Sequence, residues 1–143
     1  MLFAKKKPTL ARLLLVEDEP LVAFDNEHLL TDQGYEIVAT VDRVTDAVAM
    51  IVDGREIDLI LADVALADGN GMDVARAALE RGIPVMFVTG HCPQEAEALV
   101  IGCLDKPYTQ RALIAAIGAV EAVVTGKRRG RLPEGFRLFG DAA

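Results

Sequence analysis

Residues 57–71 read IDLILADVALADGNG. An apolar run, 57–62, stops at a carboxylate, Asp63, and a glycine-rich loop follows at once. A short β-prone run that loses its hydrophobicity abruptly has the pattern of a strand buried on both faces of a parallel sheet. In open α/β sheets the ligand crevice lies at the carboxyl ends of such strands, which puts Asp63 where chemistry would stand. Taken alone, an aspartate closing a strand is more often an ordinary solvated turn residue. The choice depends on whether other strands bring matching groups to the same edge.

Upstream, residues 10–16 form another apolar strand pattern, ending in Glu17, Asp18 and Glu19 before Pro20. Proline suits the first turn of a helix and acids there complement the helix dipole, so a helix is predicted over 20–33 with Gly34 as its stop. Residues 35–41 (YEIVATV) read as strand two. Val44, Ala47, Val48 and Ile51 then recur at helical spacing. Downstream of the opening stretch, 71–81 reads as a helix stopping at Gly82, and 83–88 as strand four running into Thr89-Gly90-His91. A weaker helical segment covers 93–100, a short fifth strand 101–104, and a last helix 109–125 with Leu113, Ile117, Val120 and Val124 on one face.

Five strands alternating with five helices predict an α/β, doubly wound, five-stranded parallel sheet of flavodoxin-like order 2-1-3-4-5. We expect a basic leader over 1–9, the folded domain over 10–126 and a basic tail over 127–143. The tail is charged and punctuated by glycine and proline, and is expected to be partly ordered at most, with Phe136 and Phe139 packing on the body or on a partner.

A chain of 143 residues, 52% of them apolar, can bury one real core. No apolar run is long enough to span a bilayer, and the lysines of the leader lack the apolar segment of a secretory signal. The net charge of −7 divides unevenly: each basic end carries +3, leaving −13 on residues 8–126. That acidic body is unsuited to nucleic acid phosphates. Two cysteines, Cys92 and Cys103, are too few and too oddly spaced for a disulfide framework or a zinc site, so in a reduced, cytoplasmic protein they read first as packing residues, with redox sensitivity as the lesser reading. His28 reads as a surface residue and His91 as a loop residue beside the rim. Neither a P-loop nor a G-x-G-x-x-G run occurs, which argues against nucleotide use.

The strand ends converge. Glu17 and Asp18 follow strand one, Asp63 strand three, Thr89 strand four and Lys106 strand five. Neighbouring carboxylates repel unless a cation holds them, and Mg²⁺ needs only one or two protein carboxylates with water completing its shell. A lysine adds a mobile point charge suited to a carboxylate or a phosphoryl oxygen.

The stretches LLVEDE (14–19), ADVALADGNGMDV (62–74), FVTG (87–90) and DKPYT (105–109), each at the end of the appropriate strand, resemble a receiver domain of the two-component response regulator family over 10–124. The resemblance implies that Asp63 takes a phosphoryl group from phosphohistidine. It implies Mg²⁺ held by Glu17, Asp18, Asp63 and the main-chain carbonyl of Ala65, with Lys106 neutralising phosphoryl charge. Backbone N–H groups of Val64 and Gly90 would complete the cradle, Thr89 would swing onto the new phosphate, and the Lys106–Pro107 bond would be cis. The implied partners are a sensor histidine kinase or histidine phosphotransfer protein and a downstream protein target, with no nucleic acid, no membrane and a possible homodimer.

This sequence also departs from the family's usual pattern. Ala67 stands where proline is common, which suggests a less rigid loop, and Ala65 offers no side chain to position water. Cys103 occupies the place of the aromatic residue that normally rotates on switching. Sixteen residues separate Thr89 from Lys106, which shortens the fourth helix. These features resemble a Phe-x-Thr-Gly receiver subgroup, often stand-alone. The expectation is therefore a phosphorylation-dependent switch or phosphate sink, catalytic only on itself. A receiver-like module working without phosphorylation is the alternative. A phosphatase with an aspartyl-phosphate intermediate is disfavoured, because position 65 lacks the second aspartate of a D-x-D pair.

Overall fold

The computed structural model describes residues 10–139. The leader, 1–9, and residues 140–143 of the tail lie outside them. In chain order the elements are β1 (Arg12–Val16), α1 (Pro20–Asp32), β2 (Glu36–Val41), α2 (Val44–Val52), β3 (Leu59–Ala62), a minimal hairpin of β4 (Ala65–Leu66) and β5 (Gly69–Asn70), and α3 (Gly71–Glu80). Then follow β6 (Val85–Thr89), a 3₁₀ helix (Gln94–Ala98), β7 (Gly102–Asp105), α4 (Gln110–Val124) and β8 (Phe136–Leu138).

The main sheet runs β2-β1-β3-β6-β7-β8. Its first five strands are parallel and stand in the predicted 2-1-3-4-5 order. Successive residues along a strand face opposite sides of a sheet, and this alternation builds two cores. Leu14, Val16, Ile60, Ala62 and Phe87 face α2 and α3. Leu13, Leu15, Leu59, Leu61 and Met86 face the layer containing Leu30 of α1 and Ile117 of α4. That is why these strands read as continuous apolar runs: helices cover both of their faces.

Four expectations need correction. Among the described residues the sheet has six strands, not five, because the tail adds β8 antiparallel to β7, with Gly102 opposite Leu138 and Leu104 opposite Phe136. Phe136 is buried, and its ring lies so close over Gly102 that a Cβ there would stand 2.7 Å from it. The added strand covers an edge whose unpaired backbone groups would otherwise remain open. Phe139 packs on the other face.

Among the described residues there are four α-helices, not five, since the predicted helix over 93–100 is a five-residue 3₁₀ turn. A 3₁₀ helix rises about 2.0 Å per residue against about 1.5 Å for an α-helix, so a short crossover still returns along the sheet. The acids before Pro20 do not enter the first turn of α1, and Glu19 makes no side-chain cap. Finally, Cys92 and Cys103 form a disulfide. The short crossover folds Cys92 back onto the same core cluster as Cys103, a proximity that spacing along the chain does not reveal.

Candidate functional site

Register puts the site together. Val16 pairs with Ala62, and the Asp63 N–H donates to the Val16 carbonyl at 3.0 Å. Glu17 and Asp63 therefore leave the sheet side by side. Thr89 pairs with Asp105, and the Lys106 N–H donates to the Thr89 carbonyl at 2.9 Å, bringing the lysine onto the same rim. The Lys106–Pro107 peptide bond is cis.

The Lys106 ammonium donates to Asp63 Oδ2 at 2.8 Å and to Glu17 Oε1 at 3.0 Å. Asp63 Oδ1 accepts the Ala65 N–H at 3.3 Å, and Glu17 Oε2 accepts that of Glu19 at 3.1 Å. Glu17 and Asp63 are each only 8% exposed. Burial pushes the Glu17 carboxyl up, against the pull of the Glu19 N–H and Lys106. Burial also opposes the charge on Lys106, but its bonds to Asp63 and Glu17 prevail and hold its pKa above the ordinary lysine value.

One carboxylate oxygen from each of Glu17, Asp18 and Asp63 lies within 4.8 Å of the other two. Three carboxylates against one ammonium leave two formal negative charges, the charge of one divalent cation. All the donors are hard oxygens, which suits Mg²⁺ or Ca²⁺ and not a soft metal. The residues present thus fit a hard divalent ion.

Thr89 is 4% exposed, and its hydroxyl both donates to the His91 carbonyl at 3.2 Å and accepts the His91 N–H at 3.3 Å. It stands on the rim with its bonds turned toward its own loop. Gly90 is exposed, and a Cβ there would meet nothing. The Val64 carbonyl accepts the Gly71 N–H at 2.7 Å, and a Cβ at Gly71 would run into the Asp63 carbonyl oxygen. Only glycine lets α3 begin this close beneath the Asp63 backbone. His28 is exposed against the Phe24 ring, and His91 is exposed in its loop.

Three features escaped the sequence reading. Asp68, at the hairpin tip, accepts the N–H groups of Val44 and Thr45 and the Thr45 hydroxyl, capping α2 from across the loop. These bonds tie down the loop that Ala67 was expected to loosen. The Tyr108 hydroxyl is hydrogen-bonded to the Asn26 side chain, latching the Lys106 segment to α1. The third is the disulfide. The first two join residues far apart in sequence or without local signature, and no periodicity marks them.

The response regulator receiver domain family matches residues 13–118. Over 81 residues, 55% of this chain, it is 37% identical to the phyllosphere-induced regulator PhyR of Methylorubrum extorquens, a match covering 30% of that protein. The chain spans about half the length of the other curated relatives it matches. A response regulator receiver protein from Sinorhizobium medicae superposes with a TM-score of 0.69 at 28% identity, over 79% of this chain and 95% of that one. The receiver domain of the sensor histidine kinase PA1611 from Pseudomonas aeruginosa, solved with a magnesium ion coordinated in its active-site cleft, shares the fold at 23% identity. Its TM-score is 0.67, over 82% of this chain and 98% of that one. No helix among the described residues is long and apolar enough to cross a membrane. With residues 13–118 matched and the acidic rim and lysine in place, the chain belongs to the response regulator receiver domain family.

Proposed function

We propose that Asp63 accepts a phosphoryl group from the phosphohistidine of a sensor histidine kinase or phosphotransfer protein, and that the chain thereby switches its contacts with a downstream protein or serves as a phosphate sink. One observation carries this reading: a buried carboxylate at the end of β3, bonded to Lys106 and flanked by two further carboxylates within 4.8 Å. The activity is confined to the chain's own aspartate, so it is a signalling partner, not an enzyme, and its place is the cytoplasm with the kinase domain.

Mg²⁺, when bound by Glu17, Asp18, Asp63 and the Ala65 carbonyl, supplies charge neutralisation for the phosphoryl oxygens. An Asp63 carboxylate oxygen attacks phosphorus in line; the new O–P bond forms as the N–P bond breaks and the imidazole leaves with the electron pair. Lys106 transfers one of its two carboxylate bonds to a phosphoryl oxygen, keeping the charge compensated. The N–H groups of Val64 and Gly90 close around the group. The Thr89 hydroxyl exchanges its His91 bonds for one to the phosphate, which drags residues 89–91 inward and carries the chemistry to the surface.

Acetyl phosphate with Mg²⁺ should add the mass of one phosphoryl group to the wild type and nothing to Asp63→Ala. No covalent addition, combined with an Asp63→Asn variant that still signals, would refute this reading in favour of a module that works unphosphorylated.

A further inference from the structure

The chain has a full two-sided core, so it does not need a cross-link of the kind that small secreted domains use to stay folded. Yet Cys92 and Cys103 are bonded, with Cα atoms 6.5 Å apart, within the usual reach of a disulfide. The position is specific. Cys103 is fully buried in β7 between Phe87 of β6 and Arg137 of β8. Cys92 is half-buried, three residues beyond Thr89 and next to His91, whose main chain holds the Thr89 hydroxyl through two hydrogen bonds. As a free thiol Cys103 would still pack as a small apolar side chain, so reduction leaves the core intact and releases the loop.

We propose that Cys92 and Cys103 form a reversible dithiol–disulfide pair whose oxidation pins residues 89–92 and weakens phosphoryl acceptance at Asp63. The inference rests on the reading of Asp63 as the acceptor. The redox partner is a protein dithiol or glutathione. Its thiolate attacks the sulfur of Cys92, the less buried of the two cysteines, the S–S bond breaks, and Cys103 leaves as a thiolate and takes a proton. A second thiol then attacks the mixed disulfide and frees Cys92. Two electrons and two protons arrive with the reductant, which departs as a disulfide. Oxidation is the same exchange run backward from the partner's disulfide.

Coupling of two sites is reciprocal, which gives two independent readouts on the full chain. The wild type is equilibrated in glutathione or glutathione disulfide buffer, and its state is read by intact mass as the loss of two hydrogens. Beryllofluoride with Mg²⁺, a phosphoryl mimic, is then titrated against each form. The oxidised form should bind about five-fold more weakly or worse, and saturating beryllofluoride should shift the dithiol-to-disulfide ratio toward dithiol by the same factor. Cys92→Ser should bind like the reduced wild type in both buffers, and Cys103→Ala provides a second control in case the first is poorly folded. Binding equal within about two-fold in the two forms, or failure of the disulfide to form in the oxidising buffer, overturns the proposal. Absence of binding in both forms instead overturns the assignment of Asp63.

Discussion

Gly102 lies in β7 beneath the ring of Phe136, and giving it a side chain tests whether the tail truly belongs to the sheet. The methyl carbon of Gly102→Ala would stand 2.7 and 2.8 Å from two ring carbons of Phe136 and 2.9 Å from the Arg137 carbonyl oxygen. Non-bonded carbons rest about 3.5–4.0 Å apart, so the overlap approaches 1 Å on the ring and includes the backbone of β8. The ring cannot swing aside freely, because Leu104, Leu113 and Ile117 belong to the same buried cluster. Overpacking a core site costs about 1–3 kcal/mol. Contact with both a ring and a backbone oxygen places this variant at the upper end, about 2–3 kcal/mol, or roughly 8–12 °C in Tm.

Phe136→Ala removes a buried ring and should itself cost about 3–5 kcal/mol. With the ring gone, the added methyl at position 102 meets only the carbonyl, and its cost should fall below about 1 kcal/mol. Urea unfolding of the wild type, the two single variants and the double variant would complete the cycle, with an interaction of at least about 1 kcal/mol expected. Strictly additive costs, or a Gly102→Ala protein within about 0.5 kcal/mol of wild type, would refute the seating of Phe136 and with it the sixth strand. The Asp105 N–H donates to the Gly135 carbonyl next to Lys106, so loosening β8 should also slow phosphoryl uptake.

Other outcomes follow from the site. Asp18→Ala should lose phosphoryl uptake from acetyl phosphate through loss of metal; uptake equal to wild type in Mg²⁺ would remove Asp18 from the ligand set. Lys106→Ala should retain more uptake than switching, read as hydrogen exchange over 89–100 that no longer responds to beryllofluoride. Gly71→Ala should cost about 1–3 kcal/mol in urea unfolding, and should slow phosphorylation because its methyl displaces the Asp63 backbone. Burial, aided by Glu121, pushes the Tyr35 phenol up to about 12. Stability from Tyr35 is therefore complete below pH 10 and lost as pH rises toward 12, a fall of about 1–2 kcal/mol after allowing for partial exposure. Tyr35→Phe should flatten that fall. With two tyrosines and no tryptophan in the chain, tyrosinate absorbance can follow the titration directly.

Local pattern was enough for the five parallel strands: a central strand covered on both faces must be apolar at every position, as Leu59–Ala62 is, and the half-buried edge strand β2 still reads as a β-prone run. It was enough, too, for the rim: Glu17, Asp63, Thr89 and Lys106 each follow or end a strand, and a parallel sheet gathers all its carboxyl ends on one edge. The sequence also carried a faint signal for β8, since Phe136 and Leu138 flank Arg137 with the two-residue period of a half-buried strand. What that signal lacked was an edge to pair with, and only the folded sheet supplies the β7 edge. Asp68 on α2, Tyr108 on Asn26 and Cys92 on Cys103 are of the same kind. Each depends on where a loop lands after the elements have packed, a long-range outcome that periodicity cannot encode. Periodicity records which face of a segment meets the core; only the tertiary structure decides which segment lies opposite, and in this chain that decision formed the disulfide beside Thr89.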